Sequence, residues 1–241
     1  MHGEFKASIG FGFDSKTNDF KVVRVVTLLD GVDLQKDRPV VEVYSLANGE
    51  WRTITTATPP VCILRDPEPQ AFLNGALHWV ALREEEDHKL HWFMFMFDLE
   101  DEVLHEILLL KHGDEEFAKT ELLASVTVHK DSIAFLQRKY MFFSSGGVQT
   151  LWKMEEYGVV SSWGMVLILS LDGPGGGIPR AIGFKRNGKF VFEFNDRQQL
   201  SRELEIQEMK DYIVSYLSSL GGSYVESLVL LDKAANVAFT Y

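Results

Sequence analysis

The chain has 241 residues, of which 46% are hydrophobic, and a formal net charge of −11 at pH 7. This composition is typical of a globular chain with a substantial core, and the acidic balance argues against a nucleic-acid partner, which requires a basic face. The single cysteine, Cys62, excludes an internal disulfide framework and a cysteine-based zinc site. Because neither a signal peptide nor a membrane-spanning apolar stretch is recognisable, we expect no membrane partner and a cytoplasmic, or cytoplasmic and nuclear, location.

Turn dipeptides between short apolar stretches recur at a regular interval along the chain. They are Asn18-Asp19, Asn74-Gly75, Asp131-Ser132 and Asn187-Gly188, which lie 56, 57 and 56 residues apart. Asn-Gly favours a type I′ hairpin, because both central residues need a positive φ. The four positions therefore predict four inner β-hairpins.

A second series of strand ends follows the first, at Leu46, Leu99, Met154 and Leu204. These ends predict four outer hairpins, and the third, in "LWKMEEYGVVSSW", has a connection longer than the others. Two hairpins per unit make four antiparallel strands at a spacing close to that of kelch repeats. The predicted fold is therefore all-β, with kelch-like β-propeller-type repeats: about four blades and a partial fifth, "YVESLVLLDKAANVAFTY".

The predicted scaffold consists of apolar strands with tryptophans in the blade cores. The strands are 41–46, 76–82, 93–99 and 190–194, and the core tryptophans are Trp51, Trp79, Trp152 and Trp163. One segment, "SRELEIQEMKDYIVSYL", is compatible with either a strand or a helix.

The glycine-rich stretches and the cysteine do not point to catalysis. The run Gly173–Gly177 lacks the lysine and the hydroxyl residue that complete a phosphate-binding loop, and Gly10-x-Gly12 lacks the third glycine of a dinucleotide fingerprint. A structural role at a strand edge is therefore expected for Gly10 and Gly12. Cys62 has no histidine nearby in sequence, so we expect a buried structural thiol.

The histidines give the best candidates for metal binding and catalysis, and both are weak. His88 and His91 lie next to the acidic run 84–87, but a solvated loop explains this pattern better than a metal site does. His78 lies beside Trp79 in a predicted strand, where a hydrogen-bonded core histidine is the expected role. The sequence thus predicts no catalytic residue, no metal and no cofactor.

Seven phrases of the sequence, taken together and in this order, resemble the plant F-box-associated domain. They are "GFGFDSKTNDFKVVRVV", "VEVYSLANGEWR", "LNGALHWVA", "FDLEDEVLHEI", "LWKMEEYGVVSSW", "GFKRNGKFVFE" and "YVESLVLL". Within that family the phrases are similar to the branch of S-locus F-box and S-locus-F-box-like proteins. The resemblance covers nearly all of residues 1–241, and we expect this range to be an N-terminally truncated F-box-associated domain, the C-terminal portion of a larger propeller-like domain.

The resemblance implies a function in protein ubiquitylation. Family members dock a Skp-type adaptor and a cullin through an F-box, and their associated domain selects the target protein of the SCF-type ubiquitin ligase. In the S-locus branch the targets are pistil ribonucleases, so a basic ribonuclease is the expected target in pollen self-incompatibility. No F-box is present in the 241 residues, so we expect no contact of this chain itself with adaptor or cullin. Two alternatives stay open: a truncated decoy or degenerate copy that binds proteins without ligase recruitment, and an enzyme on a propeller scaffold.

The residues predicted to contact the target protein lie in charged connections between strands, because connections at one end of a propeller present variable side chains. The connections considered are 30–38, 55–69, 83–91, 111–121 and 171–179. The candidate contact residues are Asp33, Lys36, Arg65, Asp66, Arg83, Glu84, Glu85, Asp114 and Glu115. Acidic connections would speed the association with a basic protein more than they would strengthen the final complex.

Overall fold

The described part of the chain consists of β-strands and one 3₁₀ turn, Val160–Ser162. The computed structural model describes residues 5–28, 38–64, 70–84, 90–109, 123–140, 147–171, 180–184, 189–193, 199–203 and 211–214. In these ranges the strands form four antiparallel sheets, one after another along the chain. We call these sheets the first to the fourth blade.

The first two blades are built from nine strands. They are β1 (Phe5–Asp14), β2 (Asp19–Leu28), β3 (Val40–Ser45), β4 (Glu50–Thr53), β5 (Ile63–Leu64), β6 (Ala71–Leu73), β7 (Ala76–Glu84), β8 (Leu90–Asp98) and β9 (Leu104–Leu108). The first blade has the strand order β1-β2-β3-β4. The second has the order β5-β7-β8-β9, and β6 pairs with β7 as well. Since β5 and β6 share one edge of β7, part of the stretch 55–69 belongs to the second blade itself and is not simply a connection.

The third and fourth blades repeat the four-stranded pattern. Their strands are β10 (Leu123–His129), β11 (Ser132–Tyr140), β12 (Gly147–Met154), β13 (Trp163–Leu171), β14 (Arg180–Phe184), β15 (Lys189–Glu193), β16 (Gln199–Glu203) and β17 (Asp211–Val214). In both blades the strands pair in sequence order. The ambiguous segment therefore contributes strands within 199–203 and 211–214, and the predicted all-β repeat is confirmed.

The inner hairpins lie close to the turn dipeptides, with shifts in the first and third blades. Asn74 and Gly75 have φ of 52° and 76°, as a type I′ turn requires. In the first blade Asp14 pairs with Asp19, so Asp19 begins β2 and the turn has four residues, 15–18, of which the last, Asn18, has a φ of 52°. In the third blade the prediction is wrong by one residue: His129 pairs with Ser132, so the turn is Lys130-Asp131, and Ser132 begins β11. The fourth dipeptide, Asn187-Gly188, lies outside the described residues.

The long connection in "EEYGVV" is confirmed as the turn of the third outer hairpin, between β12 and β13. The Glu155 amide donates to the Ser162 carbonyl (3.0 Å), and the Ser162 hydroxyl donates to the Val159 carbonyl (2.7 Å). Gly158 takes a φ of 84°, which a residue with a side chain rarely adopts. The turn thus closes through its own hydrogen bonds. The strand end predicted at Leu204 lies outside the described part.

Two apolar cores hold the first three blades together. The first interblade core joins the first and second blades, and the second interblade core joins the second and third. In the first core, aliphatic side chains of the first blade (Val23, Val25, Val41 and Val43) pack against an aromatic face of the second (Trp79, Phe93, Phe95 and Phe97). In the second core, Ala71, Val80, Met94 and Ile107 of the second blade pack against Phe135, Trp152 and Trp163 of the third. Each core therefore combines aliphatic and aromatic side chains of two neighbouring blades.

Glycines bring β1 close to the second blade. A Cβ added at Gly12 would lie 2.6 Å from Leu99 Cδ1, and one at Gly10 would meet the Trp79 ring inside contact distance. Both glycines lie in an edge strand, as expected. Glycine is required at these positions because the two sheets pack so closely that no side chain fits between them.

The tryptophan prediction is confirmed for three of the four residues. Trp79, Trp152 and Trp163 are buried. The prediction is wrong for Trp51, which is 46% exposed. Trp51 lies on the last strand of the first blade, on the face turned away from the second blade, where Tyr44 and the Arg24 guanidinium pack on its ring. The predicted scaffold strands are confirmed, with ends that differ by at most three residues, and Phe194 lies outside the described residues.

Candidate functional site

The strand directions separate the blades into two ends. The turns of all described hairpins lie at one end, which we call the hairpin end; they include 15–18, 46–49, 74–75, 99–103 and 155–162. The ends of the strands that flank residues 29–37, 85–89 and 141–146 lie at the opposite end, which we call the connection end. The two polar clusters described next lie at the hairpin end, and the connection end carries Arg83 and Glu84.

A buried charged cluster joins the first and second blades at the hairpin end. Lys21 Nζ lies 2.6 Å from Asp14 Oδ2 and 3.1 Å from Glu102 Oε1, and it donates to the Leu99 carbonyl at 2.8 Å. Arg52 pairs with Glu102 as well. We call Asp14, Lys21, Arg52 and Glu102 the interblade clasp. Its residues come from β1, β2, β4 and the β8–β9 turn, so it fixes how the two sheets are placed on each other.

The clasp keeps its carboxylates ionised although they are shielded from water. Burial acts to raise the pKa of Asp14, but hydrogen bonds from Lys21 and Thr17 outweigh it, so the pKa is lowered. For Glu102, burial again acts to raise the pKa, and hydrogen bonds from Arg52 and Lys21 lower it overall. The clasp is therefore charged at neutral pH and satisfied by its own partners. It has the properties of a structural site.

A neutral pair joins the second and third blades. The fully buried His78 has Nε2 2.8 Å from the Tyr157 hydroxyl and Nδ1 3.2 Å from the Ala71 carbonyl. Because a carbonyl only accepts, Nδ1 carries the proton and the Tyr157 hydroxyl donates to Nε2. Burial lowers the pKa of His78 to about 4, and burial together with the nearby Asp98 raises the pKa of Tyr157 to about 12. The expected core role of His78 is thus confirmed. Its hydrogen-bond partner Tyr157 lies in the long third outer turn.

The other nucleophile and base candidates are also engaged in packing. Cys62 is buried, and burial, followed by the Glu106 charge, raises the pKa of its thiol to about 12, with Arg83 acting in the opposite direction. A thiol in this state is a poor nucleophile at neutral pH. Burial, followed by the charges of Lys130 and Lys153, lowers the pKa of His129, whose ring packs on Phe184 of the fourth blade with centroids 4.4 Å apart.

Metal ligation gains no support in the ranges that the structure describes. In those ranges no group of three or more His, Cys, Asp or Glu side chains could hold a metal ion. The histidine pair cannot be judged as a pair, because His88 lies outside the described residues. In the same ranges, no helix has the length and apolar character to cross a bilayer.

Of the nine predicted contact residues, the structure describes two. Arg83 pairs with Glu106 of β9, and its guanidinium lies 5.0 Å from the centroid of the Phe93 ring. Glu84 follows it at the end of β7, next to the segment 85–89. The other seven lie outside the described residues: Asp33, Lys36, Arg65, Asp66, Glu85, Asp114 and Glu115.

The clasp and one exposed aromatic surface were not predicted from the sequence. On the side of the first blade away from the second, Trp51 packs on Tyr44 with centroids 5.3 Å apart, and Arg24 lies 4.7 Å from the centroid of the Trp51 ring. Arg24 also pairs with Glu42 at 2.6 Å. Tryptophan, tyrosine and arginine are the residues most enriched at binding hot spots. Strand alternation could have placed Tyr44 on one face of β3, but it gives no sign that this face is open.

Four-stranded antiparallel sheets, stacked face to face through two cores, define a protein of the β-propeller type. Comparison with known families agrees: residues 2–231 match the family model described as the F-box associated beta propeller domain. The chain belongs to this family.

Two curated relatives from Arabidopsis thaliana carry the F-box name. An F-box/kelch-repeat protein is 21% identical over 167 residues, which is 68% of this chain and 40% of the relative. An F-box protein is 24% identical over an alignment of 241 residues, covering 85% of this chain and 54% of the relative. The chain thus spans about half the length of the curated relatives it matches.

Proposed function

We propose that this chain is the substrate-recognition module of a plant F-box protein and binds a target protein for an SCF-type ubiquitin ligase. The observation that carries the proposal is the family match over residues 2–231, together with relatives named as F-box proteins. The stacked blades support it physically, because a rigid scaffold can present variable segments at one end. In this role the chain contributes binding and no catalytic group of its own.

The finer part of the proposal concerns the target. A basic protein such as a secreted ribonuclease, the kind of target found in the S-locus branch, suits a chain with a net charge of −11. We propose that it is bound through Asp33, Lys36, Arg65, Asp66, Arg83, Glu84, Glu85, Asp114 and Glu115, of which the two described residues, Arg83 and Glu84, lie at the connection end. Charges at the rim of such an interface govern the association rate and its dependence on salt.

Charge reversal at the two ends tests this surface. The variant with Glu84→Lys and Glu85→Lys is compared with a control carrying Glu155→Lys and Glu156→Lys, which changes the net charge equally at the hairpin end, where both acids are exposed. Association with a panel of basic ribonucleases is measured by biolayer interferometry at low and high salt. We expect the first variant to associate severalfold more slowly at low salt than the control. Equal rates for the two variants, or a rate that does not respond to salt, would contradict the proposed surface.

Ligase recruitment is tested separately in the plant. The transcript's 5′ end is mapped, and the native protein is purified under proteasome inhibition. Two results together would support the main proposal. A Skp-type adaptor co-purifies with the chain, and so does a protein that accumulates when the gene is silenced. A bound protein whose abundance does not change, recovered without adaptor, would instead favour the decoy.

A further inference from the structure

The outer edge of the third blade differs from the outer edges of the other blades. The last strand of each blade pairs with one neighbour among the described strands, so no described strand meets the backbone N–H and C=O groups on its other edge. The last strands β4, β9 and β17 have four or five residues and carry charged side chains, and shortness and charge are the usual protections of such an edge. By contrast, β13 has nine residues, "WGMVLILSL", and none of them is charged.

A β-bulge near the start of β13 divides this edge into two parts. Val166 is an extra residue between Met165 and Leu167, which pair with consecutive residues of β12. Met165 is 53% exposed and Val166 is 36% exposed, so two apolar side chains lie open to solvent at the bulge. Beyond it, residues 167–171 pair with β12 without interruption. The edge of 167–171 is therefore a regular, uncharged template for one more strand.

The composition of this edge suits a second copy of the same chain. About a two-fold axis perpendicular to the strand, β13 meets itself in the antiparallel direction, and every pair within 167–171 then joins two uncharged residues. The same arrangement of β9 about its centre would place Glu106 opposite Glu106, and like charges at opposite positions destabilise a sheet. Two copies with a net charge of −11 repel each other, and an uncharged edge adds no further like-charge contact to that repulsion.

We propose that β13 is a self-association edge, at which residues 167–171 of two copies pair antiparallel. The two four-stranded third blades then form one continuous sheet across the dimer. A single pair of strands buries little area, so the dimer is weak and depends on concentration. Because β13 runs from the hairpin end towards the connection end, the connection ends of the two copies point in opposite directions. This proposal does not depend on the proposed ligase role.

Sedimentation equilibrium of the full chain, at increasing concentration, tests whether the dimer forms through this edge. Ser170→Lys introduces a cation in the edge strand, and the control Ser161→Lys adds the same charge at an exposed residue of the turn before β13. We expect Ser170→Lys to raise the dissociation constant of the dimer at least about tenfold relative to the control. High salt should preserve or strengthen the dimer of the unchanged chain, because it screens the repulsion between two acidic copies.

Three results would overturn the proposal. They are a chain that stays monomeric up to about 100 µM, a dimer that Ser170→Lys does not weaken, and a dimer that high salt dissociates.

Cysteine scanning tests the antiparallel register, and it also serves if Ser170→Lys does not fold. Single cysteines replace each of the residues 167–171, and Leu108→Cys, on the outer strand of the second blade and 48% exposed, is the control. The natural Cys62 stays silent, because it is buried and its thiol pKa is raised to about 12. Only residues at the two-fold axis lie close enough to their own copies for a disulfide, so we expect one position, or two adjacent ones, to link two chains rapidly under mild oxidation. Equal rates at all positions, or faster linkage of Leu108→Cys, would contradict pairing through β13.

Discussion

The first and second blades are joined differently from the second and third. Both interfaces bury an aromatic face against an aliphatic one, but the first adds the clasp of Asp14, Lys21, Arg52 and Glu102, whereas the second adds the neutral pair of His78 and Tyr157. A buried ion pair is weak evidence for net stability, yet losing one partner is costly because the other charge remains buried. Neighbouring blades therefore share apolar packing and differ in the polar groups that set their alignment.

Breaking the clasp should have the largest effect. Lys21→Met leaves Asp14 buried without its cation and should lower the free energy of unfolding by about 3–5 kcal/mol. The control is Lys16→Met, whose partner Asp101 is exposed as Lys16 is, so its denaturant midpoint should hardly change. Urea unfolding followed by tryptophan fluorescence measures both. If the two variants unfold alike, the clasp does not stabilise the interface.

Removing apolar contact from the first interface should come next. Leu99, the first residue of the β8–β9 turn, is fully buried against Gly12, and Leu99→Ala should cost about 2–5 kcal/mol. Leu108→Ala, on β9 of the same blade, changes a side chain that is 48% exposed and should cost less than about 0.5 kcal/mol. Thermal or urea unfolding of the pair gives the difference. Similar losses for both leucines would contradict the assigned core.

Lowering the pH should destabilise the second interface before it destabilises the first. The pKa of His78 is about 4 in the folded chain and 6.5 when unfolded, so the unfolded chain binds the proton first, and stability falls as the pH drops from 6.5 to 4. The loss should approach about 3 kcal/mol, and His78→Asn should remove it. The urea midpoints of the wild-type chain and of His78→Asn are measured at a series of pH values, and their difference gives the contribution of His78. If the stability of the variant falls as steeply with pH between 6.5 and 4 as that of the wild type, groups other than His78 titrate in this range.

The clasp should respond at lower pH. Since the folded-state pKa values of Asp14 and Glu102 lie below their ordinary values of 3.8 and 4.5, their contribution is complete above that range and is lost as the pH falls through the lowered values. The same pH series, continued downward, should therefore show a second loss that survives in His78→Asn and becomes smaller in Lys21→Met, in which Glu102 keeps its pair with Arg52.

Overpacking the first interface should have the smallest effect. The Cβ of Gly10→Ala would press on the Trp79 ring, and the variant should lose about 1–3 kcal/mol. In Gly164→Ala the nearest atom lies 3.8 Å from the new Cβ, so this control should be close to neutral. A Gly10→Ala protein as stable as the control would mean that the sheets move apart without cost.

The repeat and the hairpins were predictable because their signals are local. The turn at Asn74-Gly75 and the strands on either side follow from a positive-φ dipeptide between apolar stretches. The exposure of Trp51 was not predictable, since alternation shows which residues share a face and gives no sign of whether a blade covers it. A signal for the clasp was present in Lys21, which shares one face of β2 with the buried Val23 and Val25. Its partner Glu102 follows 81 residues later in the chain, and no local pattern links the two.

Most of the contact residues proposed at the connection end remain predictions for the same reason. Charged segments such as 83–91 are polar whether or not they meet a partner, so composition alone cannot rank them. Arg83 is an example, because its guanidinium already pairs with Glu106 and lies over the Phe93 ring within the second blade.

The separation of the two ends has a consequence for how such a chain can diversify. The clasp and the His78–Tyr157 pair fix the alignment of the first three blades from the hairpin end. Insertions or deletions in 29–37, 85–89 or 141–146 enter and leave at the other end, where they disturb neither set of bonds. Duplicated genes could therefore exchange the lengths and charges of these segments quickly, while the spacing of the blades beneath them stays constant.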